Sequence, residues 1–151
     1  MTRRIVVLLV VLGMAAGRGA VAQRTGGSVL TVKVVGFRNA KGRVDVLLFN
    51  NARGFPDQKP KSLDVGEVPV DRLSLTAEVV FRNLPPGLYA VSVLHDENMN
   101  RKLDSNLLGI PREGYGASMN PPKMRRAPTF DEAKFSLAPG GRAIQIRLIY
   151  Y

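Results

Sequence analysis

The sequence contains no cysteine and no tryptophan, a single histidine, His95, and almost twice as many basic as acidic residues (22 Lys and Arg against 12 Asp and Glu). Without cysteine the chain can form neither disulfide bonds nor thiolate metal sites, so its stability must come from a hydrophobic core. One histidine without cysteine also falls short of the ligand sets that bind zinc. Since 45% of the 151 residues are apolar, such a core is feasible.

The N-terminal region has the three parts of an export signal. Arg3 and Arg4 precede an apolar stretch, Ile5–Ala16, and the run Ala20–Ala22 has the small-x-small pattern of a signal peptidase site. The apolar stretch is shorter than the roughly 20 residues that span a bilayer as a helix. We therefore predict an exported protein, with the periplasm favoured over full secretion, and no transmembrane helix after signal cleavage.

The predicted organisation has three parts: a signal peptide at residues 1–22, a short linker at 23–28 and one domain at 29–151. Basic side chains are scattered along this domain, and no aromatic residues interleave with them to stack on bases. The densest basic cluster, Lys123–Arg126, lies in a proline-rich segment typical of a solvated turn. We expect no nucleic-acid partner, whereas an anionic envelope component or another envelope protein stays open as a partner.

Apolar and polar residues alternate along most of the domain, which indicates β-strands. Glycine and proline clusters separate the runs, and no segment has a helical stripe of useful length, although Asp71–Glu78 could hold one helical turn. The alternating runs cover residues 30–36, 43–49, 76–81, 88–94 and 144–150, with a weaker one at 129–137.

This pattern predicts an all-β fold, a single antiparallel β-sandwich of Ig-like or prealbumin-like type with about seven strands. Two segments interrupt the alternation, residues 50–72 and a long loop near residues 95–128. A loop of the second length in a small domain is usually functional or disordered. This loop is therefore the segment of the domain in which we expect a functional site.

The start of the long loop has the spacing of a calcium-binding loop. Four side chains that carry oxygen stand at relative positions 1, 3, 5 and 9, the spacing that wraps Ca²⁺ in oxygen ligands: Asp96, Asn98, Asn100 and Asp104. The match is incomplete, because Arg101 replaces the turn glycine and Leu107 replaces the bidentate glutamate. In the alternative interpretation these side chains hydrogen-bond the backbone of their own loop. Ca²⁺ is the one cofactor that the sequence suggests.

Three further residues of the loop are candidates for a ligand surface: His95, Glu113 and Tyr115. His95 could act as a general acid or base if Asp96 or Glu113 oriented it, or it could be a structural histidine. No serine has the surroundings of a catalytic nucleophile. Tyr115 stands between glycines, where it could stack on a ligand or cap the open end of the sandwich.

The order of these motifs resembles the DUF2141 family of exported bacterial proteins over roughly residues 29–150. The resemblance is carried by Leu84–Val91, His95–Asn98, Asn100, Leu103–Asp104, Gly109–Pro111, Glu113–Gly116, Ser118 and Pro128–Ala133. It implies a small exported β-sandwich domain with no established activity. The family commonly has glycine where this sequence has Met99 or Arg101, and this departure weakens the prediction of calcium.

These observations favour an exported, non-catalytic binding or structural module whose working surface is the loop at residues 95–118, with Ca²⁺ as a stabiliser to be tested. One alternative is a small hydrolase-like enzyme that uses His95 with Asp96 or Glu113. The other is an envelope-associated structural protein whose basic surface binds anionic polymers or lipids.

Overall fold

The computed structural model describes residues 26–122 and 126–151. The predicted signal peptide, the first half of the linker and most of the basic cluster Lys123–Arg126 lie outside the described residues. Within them the chain is all-β, as predicted, with eight strands and almost no helix. The strands are β1 Ser28–Val35, β2 Arg43–Phe49, β3 Asp64–Val68, β4 Ala77–Leu84, β5 Gly87–Asp96, β6 Gly114–Ala117, β7 Phe135–Leu137 and β8 Arg142–Arg147.

The strands form two sheets. The three-stranded sheet has the order β4-β1-β8, and the five-stranded sheet has the order β3-β2-β5-β6, with β7 paired to the beginning of β5. All pairs are antiparallel except β1 and β8, which run parallel, so the prediction of a purely antiparallel arrangement is wrong at this pair. A parallel pair requires a long crossover connection, and the chain between β1 and β8 provides it.

Alternate residues of both sheets point inward and form one buried apolar cluster. Its members include Leu30, Val32 and Val34 of β1, Val44, Val46 and Leu48 of β2, Val79 and Phe81 of β4, Val91 and Val93 of β5, and Ile146 of β8. The sheets approach closely at Gly66, where an added Cβ would lie 2.9 Å from Cγ2 of Val79. The period-two pattern of the sequence thus corresponds to the inward faces of the strands.

Two strands lie in the segments where none was predicted. β3 falls within residues 50–72, and β6 falls within the long loop near residues 95–128. Both contain glycine and few β-branched residues, so their intrinsic strand signal is weak. Pairing to a strong neighbour compensates, because β3 follows β2 over five residue pairs and β6 follows β5 over four.

The weak strand predicted at residues 129–137 is confirmed only at its end, where β7 lies. Its beginning is wrong, because residues Phe130–Ala133 form a four-residue helix, α1. Thr129 and Glu132 form a reciprocal capping box that starts this helix. The segment Asp71–Glu78 holds a single turn, as its sequence allowed: the N–H of Leu75 donates to the carbonyl of Asp71 (2.9 Å). The Asp71 carboxylate also accepts hydrogen bonds from the backbone of Leu73 and Ser74.

Residues Lys59–Lys61 form a short 3₁₀ turn. No helix in the described part of the chain is long and apolar enough to cross a membrane.

Candidate functional site

The strand register places His95 and Asp96 on opposite faces of the five-stranded sheet. His95 pairs with Val44 and Gly114 on the inner face, whereas Asp96 pairs with Arg43 on the outer face. β5 continues through both residues, and successive side chains of a strand alternate between its faces. These two predicted site residues therefore do not meet.

His95 is completely buried, and both of its ring nitrogens have partners. Nε2 lies 2.8 Å from the carbonyl oxygen of Lys41, so Nε2 donates, and Nδ1, 2.8 Å from the hydroxyl of Tyr150, then accepts from it. Phe37 packs edge-on against the ring with centroids 5.0 Å apart. A carboxylate oxygen of Glu97 lies 3.8 Å from Nδ1. The structure thus surrounds His95 with core residues and a backbone carbonyl.

Asp96 organises the beginning of the long loop. Its side chain is completely buried, and its two oxygens accept hydrogen bonds from the backbone N–H groups of Asn100 (3.0 Å) and Arg101 (2.8 Å). The guanidinium of Arg43 lies 3.5 Å from one of these oxygens. The carboxylate therefore holds a turn of backbone against the edge of the sheet.

Glu113 closes the same loop from its other end. It is 4% exposed, and its two carboxylate oxygens accept from the backbone N–H groups of Glu97 (2.9 Å) and Asp104 (3.1 Å). One side chain thus binds both ends of the segment 97–104. The segment is fixed by two buried carboxylates, neither of which bonds His95.

The remaining predicted calcium ligands complete this hydrogen-bonded cluster. The side-chain oxygen of Asn98 accepts from the N–H of Asn100, and that of Asn100 accepts from the N–H of Lys102. Both amide groups donate to the carboxylate of Asp104. The structure therefore brings Asp96, Asn98, Asn100 and Asp104 together, with each oxygen-bearing side chain bonded within the loop.

The loop makes the sharp turn of a calcium loop without glycine. Met99 (φ 60°) and Arg101 (φ 66°) both adopt the left-handed region, which costs a residue other than glycine about 1–2 kcal/mol. Among the described residues no group of three or more His, Cys, Asp and Glu side chains is placed to hold a metal ion. Calcium at this loop would depend on amide and carbonyl oxygens beside Asp96 and Asp104, and it stays a prediction.

A groove of about 490 Å³ lies beside this loop on the outer face of the five-stranded sheet. The loop contributes Arg101–Leu103 to one wall, and the segment around Pro56 contributes to another. Ser92 fixes that second wall by donating to the carbonyl of Pro56 (2.5 Å). The floor consists of outward-facing strand residues: Leu47, Ser92, Leu94 and Tyr115.

A buried charge cluster borders the groove. Asp45 is 5% exposed, and its carboxylate lies 3.0 Å from Arg43 and 3.8 Å from Lys59. Burial raises the pKa of Asp45, while Arg43 and Lys59 oppose that rise. Glu67 pairs with both cations. Charges within this cluster thus compensate one another.

The rim of the groove formed by the loop is different. Arg101 and Lys102 are exposed, and their side chains take part in no ion pair within residues 26–122 and 126–151. The groove therefore combines an apolar floor with two exposed positive charges at one side, while Asp57 contributes a negative charge elsewhere in its lining.

The chain matches one known protein family over most of its length. The sequence profile described as "Uncharacterized protein conserved in bacteria (DUF2141)" matches residues 32–145. The chain belongs to the DUF2141 family. The matched region includes β2 to β7 and the whole loop at residues 95–118. Neither the curated proteins nor the solved structures gave a match.

The resemblance implied glycine where this sequence has Met99 or Arg101, and both residues adopt positive φ. Glycine enters that region without steric cost. Glycine at either position would therefore fit the conformation of this loop.

Tyr115 lies where a floor residue can contact a ligand. It is half-buried, its ring stacks on that of Tyr151 with centroids 6.2 Å apart, and its hydroxyl donates to the Tyr151 hydroxyl (3.3 Å). Burial, together with this hydrogen bond, raises the pKa of Tyr115. The single hydroxyl proton of Tyr115 is thus engaged with Tyr151, and its ring remains as the surface toward the groove.

Several groove residues were not predicted from the sequence. Asp45, Leu47, Ser92 and Leu94 belong to strands that the alternation predicts, but alternation alone does not show what lies over the outward face of a sheet. One signal was present: Asp45 is a charged residue within an apolar strand, β2, that is buried on both faces. A buried charge of that kind requires partners or a function.

We expect the protein to lose stability in acid through Glu97. Partial burial acts to raise the pKa of Glu97, but the hydrogen bonds from Asn39 and Arg38 outweigh it, so the pKa lies below its ordinary value of 4.5. A lowered carboxyl pKa contributes stability above pH 4.5 that is lost as the pH falls toward the folded-state pKa.

Urea unfolding between pH 7 and pH 3 measures this effect. Glu97→Gln should flatten the dependence of the unfolding free energy on pH, whereas Glu78→Gln, at an exposed residue of β4, should leave it unchanged. An equal acid dependence in wild type and Glu97→Gln would contradict the assignment.

Proposed function

We propose that this protein is an exported, non-catalytic binding module of the bacterial periplasm. Its two sheets would form a single β-sandwich of Ig-like type, and its ligand would bind in the outer groove beside the loop at residues 95–118. The apolar cluster shared by both sheets supports a sandwich. The arginines, apolar stretch and small-x-small run at residues 1–22 support export.

The observation that carries the proposal is the groove of about 490 Å³ between the sheet and the loop. Its volume lies within the range of pockets that bind small molecules, and its apolar floor with few polar groups is typical of such pockets. Arg101 and Lys102 are exposed at one side and form no ion pair within the described residues, which favours a ligand with an acidic group. We therefore propose a small ligand that combines an apolar body with a carboxylate or similar anion.

Two features support a binding role over a catalytic one. His95 has no exposed surface, and both ring nitrogens are already hydrogen-bonded. The buried carboxylates of Asp96 and Glu113 accept from backbone N–H groups, which occupies them in fixing the loop. A general base must reach the proton of a substrate. His95, Asp96 and Glu113 instead hydrogen-bond other groups of the protein.

The loop is proposed to be held by its own side chains. Asp96 and Glu113 accept four backbone hydrogen bonds between them, and the asparagines accept two more. Bound Ca²⁺, with Asp96, Asn98, Asn100 and Asp104 as ligands, would add to this capping. Either way, the wall of the groove would be ordered before a ligand arrives, which reduces the entropy cost of binding.

Matched probes test the groove. Octanoate and octanamide share an apolar body and differ in charge, and each is titrated into ¹⁵N-labelled protein. We expect octanoate to shift the amide signals of Ser92–Leu94, Arg101–Leu103 and Tyr115, with a much smaller response to octanamide. Shifts confined to other surfaces, or none at all with either probe, would contradict the proposal.

A pair of charge-reversal variants provides the control. Arg101→Glu combined with Lys102→Glu should abolish the preference for octanoate, because both side chains are exposed at the rim and their loss leaves the fold intact. Arg82→Glu, on an exposed residue of β4 in the other sheet, should bind octanoate like wild type. If the double variant still preferred octanoate to octanamide, Arg101 and Lys102 would not be the source of the preference.

A further inference from the structure

The tip of the long loop, Ser105–Pro111, is a tightly hydrogen-bonded turn. Ser105 and Pro111 form a β-bridge, and the N–H of Asn106 donates to the carbonyl of Ile110 (2.9 Å). The side-chain oxygen of Asn106 accepts from the N–H groups of Leu108 (2.9 Å) and Ile110 (3.0 Å). The tip therefore has a defined conformation that its own side chains enforce.

This turn presents two adjacent leucines entirely to solvent. Leu107 is 105% exposed and Leu108 is 83% exposed, and Met99 in the same loop is 65% exposed. Burial of a leucine side chain is strongly favourable, so a structured turn that keeps two of them in water forgoes a large stabilisation. Adjacent exposed leucines on an ordered turn are available for contact with a partner surface.

The acidic and the basic side chains around the tip differ in their exposure to solvent. The carboxylates of Asp96 and Glu113 are buried as backbone acceptors, and that of Asp104 binds two asparagine amides. The basic side chains of the loop, by contrast, are exposed: Arg101, Lys102 and Arg112. The outer surface of the loop is thus apolar at its tip and positively charged at its base.

We propose that the tip inserts Leu107 and Leu108 into the interfacial region of a bilayer that contains anionic phospholipids. Arg101, Lys102 and Arg112 would then face the phosphate groups, since leucines beside basic residues are the arrangement with which proteins lie on anionic membranes. The inference rests on the exposed leucines and not on a ligand in the groove, although Arg101 and Lys102 also line the groove.

The size of the tip favours a bilayer over a protein partner. Stable protein–protein interfaces bury about 1,200–2,000 Å² in total, which needs a broad surface. A convex turn with two leucines offers much less, but it suits shallow insertion between lipid head groups, where a few apolar side chains and basic charges act together.

Co-sedimentation with lipid vesicles tests the inference. The vesicles consist of phosphatidylcholine with or without about 30% phosphatidylglycerol, which supplies the anionic surface. We expect wild type to bind the anionic vesicles preferentially, and Leu107→Ser combined with Leu108→Ser to bind at least about tenfold more weakly. Lys102→Gln with Arg112→Gln should weaken binding roughly tenfold, and added salt should weaken it in wild type.

The control is Leu88→Ser, which removes a 52% exposed leucine at the opposite end of β5. It should bind like wild type, and because all variants share one N-terminus, the differences report on the tip. Equal binding by wild type and the double leucine variant would overturn the inference. So would a wild type that ignores both vesicles but forms dimers in sedimentation velocity that the leucine variant loses, since the occupant would then be a second copy.

Discussion

Asp96→Ala should lower the free energy of unfolding by about 3 kcal/mol. The substitution leaves the backbone N–H groups of Asn100 and Arg101 without their acceptor and removes a buried partner of Arg43. Loss of one member of a buried charged network is costly because the remaining groups stay desolvated. Urea unfolding followed by circular dichroism measures the change.

A matched variant separates this role from a general effect of losing an aspartate. Asp131 is an exposed aspartate that pairs with Lys134, and such surface pairs contribute about 0–1 kcal/mol. Asp131→Ala should therefore change stability little. An Asp96→Ala variant no less stable than Asp131→Ala would show that the carboxylate does not hold the loop.

Gly114→Ala is the second substitution with a large expected effect. A Cβ at this position would lie 2.5 Å from Cε1 of Tyr150, whose hydroxyl bonds His95. The ring must move, and overpacking of this kind typically costs about 1–3 kcal/mol. We expect a lower unfolding free energy together with altered NMR signals of the His95 ring.

Gly87→Ala is the corresponding control in the neighbouring strand. An added Cβ at Gly87 meets its nearest atom, in the ring of Tyr89, at 3.6 Å, which is ordinary contact. This variant should keep the wild-type His95 signals. If Gly114→Ala also kept them and its stability, the close packing of β6 against Tyr150 would be disproved.

The strong strands could be predicted because their residues carry the signal themselves. β2 and β5 are rich in valine and leucine with period two, and their predicted positions agree with the structure. β6 could not be predicted in this way, since Gly114 and Gly116 are required by the close approach of Tyr150 and Ile146, contacts that arise only after folding. β3 likewise contains Gly66, which the opposite sheet requires.

The candidate site was predictable in part. The asparagine and aspartate spacing located the ordered loop, and the structure joins Asp96, Asn98, Asn100 and Asp104 in one cluster. The groove could not be found from spacing, since its floor combines outward residues of three strands with a wall from a distant segment. The predicted strand ended at residue 94. If it had been extended to Asp96, strand alternation would have placed His95 and Asp96 on opposite faces.

Amide hydrogen exchange of the loop tests the central claim, that its own side chains order this wall of the groove. The N–H groups of Asn100, Arg101 and Asp104 are followed in wild type with a calcium chelator and with millimolar Ca²⁺. We predict clear protection of all three in the chelator, lost in Asp96→Ala for Asn100 and Arg101. If these three N–H groups exchanged rapidly in the chelator and were protected only after Ca²⁺ was added, the claim would be contradicted. The metal, and not the side chains, would then order the loop.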